Sequence, residues 1–145
     1  MQKEEIIQAV KNVYKHNAFM HHCGIQIKAI ECGKATVGLK VDPAMHTNLS
    51  DKLHGGLLMT LVDNATGIAC ASIGKKVVTV SSTISFIKSA AANDLVAAQA
   101  EIVSQHDNVF TVSVHVHNTT TNKLLATSTS TMMETGIFPD IPEQW

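Results

Sequence analysis

The chain has 145 residues, of which 45% are hydrophobic, 16% charged and 4% aromatic, with 11 basic residues against 12 acidic ones and a net charge of −1. That length supports one domain with a substantial core, and no linker or internal repeat divides it, so residues 1–145 are read as a single domain. No basic stripe interleaved with aromatics is present, which argues against nucleic acid as a partner, and the lack of long charge runs argues against a polybasic membrane patch.

Ile6, Ile7, Val10, Val13 and Tyr14 recur at helical spacing and predict an amphipathic helix over 3–16. Residues 17–24 read as a His-rich connector. Two strands follow, 25–31 and 35–41, joined by a turn at Cys32-Gly33-Lys34; in the second, Ala35, Val37, Leu39 and Val41 alternate with polar or small residues. Asp42-Pro43 ends that strand, and a loop runs through Asn48 to Lys52. The segment 55–73 predicts a helix that is apolar nearly all round, with Gly74 as its stop. Strands are then expected near 76–88, 94–106, 109–119 and 123–134, carried by β-branched and aromatic residues such as Val80, Phe110, Val112, Val114 and Val116. Their short turns imply long antiparallel hairpins, and residues 135–145 read as an irregular tail. A helix apolar on nearly every side needs cover, and a curved antiparallel sheet wrapped around it would supply that: an α+β fold with one central helix.

The apolar composition implies surface buried against another subunit, and strand edges favour a homodimer, with a homotetramer as the larger assembly. Cys23, Cys32 and Cys70 fit neither a disulfide framework nor a zinc pattern, so a reducing, cytoplasmic location is expected. The charged N-terminus does not resemble a signal peptide. The stretch 57–73 holds Thr60, Asp63, Asn64, Thr66 and Ser72, too polar for a membrane span.

The segment HGGLLMTLVDNATGIACAS carries the chemistry. Gly55 and Gly56 open the helix, where backbone N–H groups have no intrahelical partner and the dipole is positive; this suits a carbonyl oxygen that gains negative charge. The alternative is a glycine pair that lets the helix pack tightly. Asp63 is a lone carboxylate in an apolar helix, costly to bury without partners. It lies about 12 Å beyond Gly55 at ~1.5 Å per residue, too far for one carbonyl to touch both. Two helices packed antiparallel across a two-fold would bring Asp63 of one subunit to Gly55 of the other. The alternative is a carboxylate satisfied by nearby backbone or Thr60. Asn48 can donate an amide N–H or be a turn residue; His54 can reach a leaving group or cap the loop.

The set Asn48, His54-Gly55-Gly56 and Asp63 resembles the hot-dog-fold acyl-CoA thioesterases of the phenylacetate-pathway (PaaI-like) type and their animal relatives, over about residues 20–134. The resemblance implies a hot-dog fold, a curved six-stranded antiparallel sheet around the central helix. It implies hydrolysis of an acyl-CoA or related acyl thioester, with coenzyme A as part of the substrate and no other cofactor. By the same resemblance Gly55 N–H polarises the carbonyl, Asp63 of the facing subunit is general base or nucleophile, Asn48 binds the carbonyl or orients the attacking group, and His54 contacts the sulfur side. A Ser or Thr on the strand after the helix is expected near the aspartate: Thr79 is favoured, with Ser81 on the same strand face as the alternative. Gly56 is expected to help bind substrate, and Lys88, with Lys75 and Lys76, to meet coenzyme A phosphates.

Two other readings of the resemblance remain: an acyl-CoA-binding module without turnover, and a hot-dog hydratase or dehydratase, whose longer motif is missing. No GxSxG elbow is present. His21-His22-Cys23 lacks ligand spacing, so no metal is expected. His115 and His117 share a strand face with Ser113, opposite the core-facing valines. Cys70 reads as a small core residue.

Overall fold

The computed structural model describes residues 1–145. In chain order the elements are α1 (Lys3–Tyr14), α2 (Ala18–His22), β1 (Gln26–Glu31), β2 (Lys34–Lys40), α3 (Gly55–Ala71), β3 (Lys75–Phe86), β4 (Leu95–His106), β5 (Val109–Asn118) and β6 (Lys123–Ile137). The strands form one antiparallel sheet in the order β1-β2-β4-β5-β6-β3. The sheet curls around α3, which touches all six strands, and α1 packs on the outside through Ile6 and Val10. This is the expected hot-dog arrangement.

Strand alternation explains the layering. On β5, Phe110, Val112, Val114 and Val116 are fully buried, whereas His115 and His117 take the outer face, as their spacing predicts. Helix α3 ends before Gly74, whose φ of +76° closes the turn at little steric cost for a residue without a side chain. No helix is long and apolar enough to cross a membrane.

Four details differ from the sequence reading. The connector at 17–24 contains α2, capped by Asn17 Oδ1, which accepts from Met20 N–H at 3.1 Å; five residues are too few to display a helical period. Strand β3 ends at Phe86, so Lys88 lies beyond it rather than at its end. Strand β6 continues to Ile137, and the irregular tail after it is docked: Trp145 Nε1 donates to Ser72 O at 2.7 Å and Ile141 is buried. Finally, β3 carries a bulge. Thr79 pairs with Met132 and Ser81 with Thr131, leaving Val80 without a counterpart. Met132 faces the core and Thr131 does not, so Thr79 and Ser81 lie on opposite faces of the sheet. The expectation that they share a face is therefore corrected. Beyond the bulge the inward positions become Ser82, Ile84 and Phe86.

Candidate active site

Helix α3 is not covered all round. Leu58, Leu61, Val62, Ala65, Ile68, Ala69 and Cys70 are buried under the sheet and α1, but Met59 and Asp63 are exposed, four residues apart on one stripe. Asp63 is therefore not a carboxylate sunk in the core, as the apolar segment suggested. The sheet curls around one side of the helix, and no other part of the chain covers the opposite side.

Thr79, on the inner face of β3, donates its hydroxyl proton to Asp63 Oδ1 at 2.5 Å, a charge-assisted contact that fixes the carboxylate's orientation. Asp63 Oδ2 has no protein partner. The two residues border a cleft of about 340 Å³ with an apolar wall of Phe19, Met59 and Ile84. Its other polar members are Thr60, Asn64 and Ser82. Thr60 Oγ1 donates to Gly56 O at 2.8 Å, and Asn64 Nδ2 donates to Thr60 O at 2.8 Å. Asn17 Nδ2 donates to Asn64 Oδ1 at 3.2 Å while its own carbonyl oxygen caps α2. This ties α2, and with it Phe19, to the helix position next to Asp63. Sequence reasoning missed Asn17, Phe19, Asn64 and Ser82; the one available signal was Asn17 at a capping position before α2.

The other end of the stripe is the start of α3. His54 is the N-cap, and its Nδ1 accepts from Gly56 N–H at 2.8 Å. Nδ1 as acceptor places the ring proton on Nε2, which is left as a donor. The ring occupies the space a side chain at 56 would need: a Cβ on Gly56 would lie 3.0 Å from Nδ1. Gly56 N–H is thus occupied, and Gly55 N–H, with no partner, is the free donor at the helix mouth. Asn48 Oδ1 accepts from Ser50 N–H at 2.9 Å and Lys52 N–H at 3.1 Å, which folds the loop and leaves the Asn48 amide N–H groups free. Asn48 and His54 border the same open cleft. The loop is anchored by His54 N to His46 O and Leu53 N to Ala90 O, both 2.8 Å. Buried His46 supports it, accepting from Asp42 N–H at 2.9 Å and donating from Nε2 to Cys23 O at 2.7 Å.

The structure thus brings Asp63 to Thr79, and Asn48 to His54 beside Gly55. It does not join the two groups within one chain, since they lie about two helical turns apart on α3. Ser81 is on the far face of β3. Lys88 is exposed. Lys75 is not a free cation: it pairs with Glu143 at 2.7 Å and Glu134 at 3.3 Å, and the bond to Glu143 holds its ammonium above the ordinary lysine value. Burial pushes the Cys70 thiol up to about 12, so it stays protonated and unreactive at neutral pH. Burial, with Cys70 and Asp63 adding to it, also holds the Tyr14 phenol well above its ordinary value. His21 Nε2 contacts Tyr14 O at 3.2 Å, and no group of three or more His, Cys, Asp or Glu side chains is arranged to hold a metal ion.

Comparison with known proteins places these features in context. The thioesterase superfamily profile matches residues 51–125, the segment from just before α3 into β6. Human acyl-coenzyme A thioesterase 13 is 30% identical over 126 residues, covering 85% of this chain and 89% of the relative. The structure of the PaaI protein from the phenylacetic acid degradation operon of Escherichia coli superposes with a TM-score of 0.87 at 26% identity, covering 95% of this chain and 99% of that one. A hypothetical thioesterase protein from Streptococcus pneumoniae, solved with coenzyme A, superposes with a TM-score of 0.74 at 28% identity, covering 78% of this chain and 90% of that one. With the superfamily profile matching about half of its length and the three relatives three-quarters or more of it, the chain belongs to the thioesterase superfamily and is a thioester hydrolase on the hot-dog fold.

Proposed function

We propose that the protein hydrolyses an acyl-CoA thioester at a site shared between two copies of the chain. The observation that carries this reading is the Asp63 carboxylate, held by Thr79 on an uncovered stripe of α3, with the complementary donor, Gly55 N–H, at the far end of the same stripe. A two-fold axis near Met59, midway between them, would set each Asp63 against Gly55 of the partner subunit. Other features favour such a pairing. Strand β3 is a twelve-residue sheet edge with no partner on its outer side, and Met59, Val78, Val80, Phe86 and Ile87 are each at least half exposed beside it.

In this reading Asp63 Oδ2 takes a proton from a water molecule as the water oxygen bonds to the thioester carbonyl carbon. Negative charge developing on the carbonyl oxygen is met by Gly55 N–H of the partner subunit, aided by the dipole of its helix. The Asn48 amide from the same mouth binds the carbonyl or steadies the water. Collapse of the tetrahedral intermediate breaks the C–S bond. The thiolate leaves with the proton Asp63 had taken, and His54 Nε2–H stands on the sulfur side. The products are a free acid and coenzyme A. Thr79, whose proton is committed to Asp63, keeps the carboxylate aimed, and the exposed Lys76 and Lys88 are the lysines of the sequence reading left to meet a coenzyme A phosphate.

The test is thiol release from a panel of acyl-CoA thioesters by the purified protein, with its mass in solution measured by light scattering. Steady release by a dimer or larger assembly supports the proposal. Tight acyl-CoA binding without release would support the binding-module reading instead, and turnover by a monomer would remove the shared site.

A further inference from the structure

Two serines interrupt the apolar inner face of β6. Ser128 and Ser130 are 5% and 1% exposed, in a row that otherwise holds Ala126 and Met132. A buried hydroxyl requires a partner. Each of these has only two: the other buried serine at 3.5 Å, and Ser82 Oγ, at 2.9 Å from Ser130 and 3.3 Å from Ser128. Either oxygen of each pair can donate; with both buried serines donating, Ser82 Oγ accepts from each and no buried proton is left without a partner. That arrangement fills the lone pairs of Ser82 and leaves its own proton to the cleft that Ile84 and Met59 also line. Two accepted bonds also strengthen it as a donor. The neighbouring hydroxyls are committed elsewhere, Thr60 to Gly56 O and Thr79 to Asp63.

Resting on the hydrolase reading above, we propose that Ser82 selects acyl groups that carry an oxygen, as hydroxyl or keto group, on the β or γ carbon. The reach follows from the sheet. Thr79 and Ser82 pair with Met132 and Ser130, two residues apart on β6, so they stand about 7 Å apart along the strand. Water at Asp63 and Thr79 meets the carbonyl carbon at ~3 Å. An acceptor bonded to Ser82 lies ~3 Å from its Oγ; with both points displaced to the same side of the strand and converging in the cleft, an oxygen two or three carbons from the carbonyl is the nearest that reaches Ser82. Phe19, Met59 and Ile84 then enclose the rest of the chain. An unsubstituted acyl group strips water from the Ser82 proton and offers nothing in return, which is how a site built around one hydrogen bond rejects the analogue lacking it.

The experiment compares kcat/KM of the full chain for β-hydroxyoctanoyl-CoA and octanoyl-CoA. The expected ratio is about tenfold in favour of the hydroxylated thioester. Ser82→Ala brings it to about one, and Ser82→Thr, which keeps the hydroxyl, retains the preference. Because Ser82→Ala orphans two buried hydroxyls, the triple variant Ser82→Ala/Ser128→Ala/Ser130→Ala supplies the same comparison with none left unpaired. A wild-type ratio near one, or a ratio untouched in both alanine variants, overturns the role of Ser82 while leaving the hydrolase reading in place. Failure of the wild type to release thiol from either thioester, with release from other members of the acyl-CoA panel, overturns the selectivity alone; failure across the whole panel overturns the hydrolase reading, and the selectivity with it.

Discussion

The two faces of α3 are made of similar residues and do opposite work. The buried face, from Leu58 through Leu61 and Val62 to Ile68 and Cys70, is enclosed by the sheet and carries no group that can react. The open face, Gly55 to Met59 to Asp63, has a free N–H at one end, a carboxylate at the other and an exposed methionine between. The contrast teaches that apolarity alone does not mark the core of this helix. Part of it belongs to the fold, and part is apolar surface with nothing from its own chain to cover it.

Substitutions on the two faces should therefore fail differently. Asp63→Asn should lower kcat by about a thousandfold or more through loss of the base, with thermal unfolding essentially unchanged because the residue is exposed. Retention of most activity would end the comparison. Leu61→Ala, on the buried face, should cost about 3 kcal/mol in denaturant unfolding, with activity per folded molecule kept. Thr79→Ala should reduce kcat about tenfold, since it frees the Asp63 carboxylate to rotate without removing it. A loss as large as that of Asp63→Asn would make Thr79 a reacting group rather than a positioning one. The smallest effect is expected for Cys70→Ala: kcat within about twofold, and a stability loss of about 1 kcal/mol from the small cavity.

Much of this was legible in the residues, because period and fold agree over most of the chain. Ile6 and Val10 announced α1, and the alternation of Val112, Val114 and Val116 announced β5 and its outer histidines. Asn48, His54, Gly55 and Asp63 stood out because polar groups and paired glycines beside an apolar run need a reason. What was missed has local causes. Helix α2 is shorter than the window in which a helical period can be seen. The bulge at Val80 follows from pairing with β6, which no residue in VVTVSSTISF advertises, and it moves Ser81 out of the cleft and Ser82 into it. The docking of Trp145 on Ser72 is a contact across most of the chain's length, invisible to any local pattern. The open face of α3 was read as core because hydropathy is the same for a side chain covered by its own sheet and for one left bare.

The claim that Asp63 and Gly55 act across two copies is tested most directly by complementation. Gly55→Pro removes the N–H yet suits the first position of a helix, and His54 before it already has extended backbone angles of −64° and 135°. Combined with Asp63→Asn in a purified heterodimer, it leaves one of two shared sites intact. The heterodimer should show about half the wild-type rate, against less than about a hundredth for either mutant homodimer. A heterodimer as inactive as its parents would place both groups of each site in the same protomer and contradict the account.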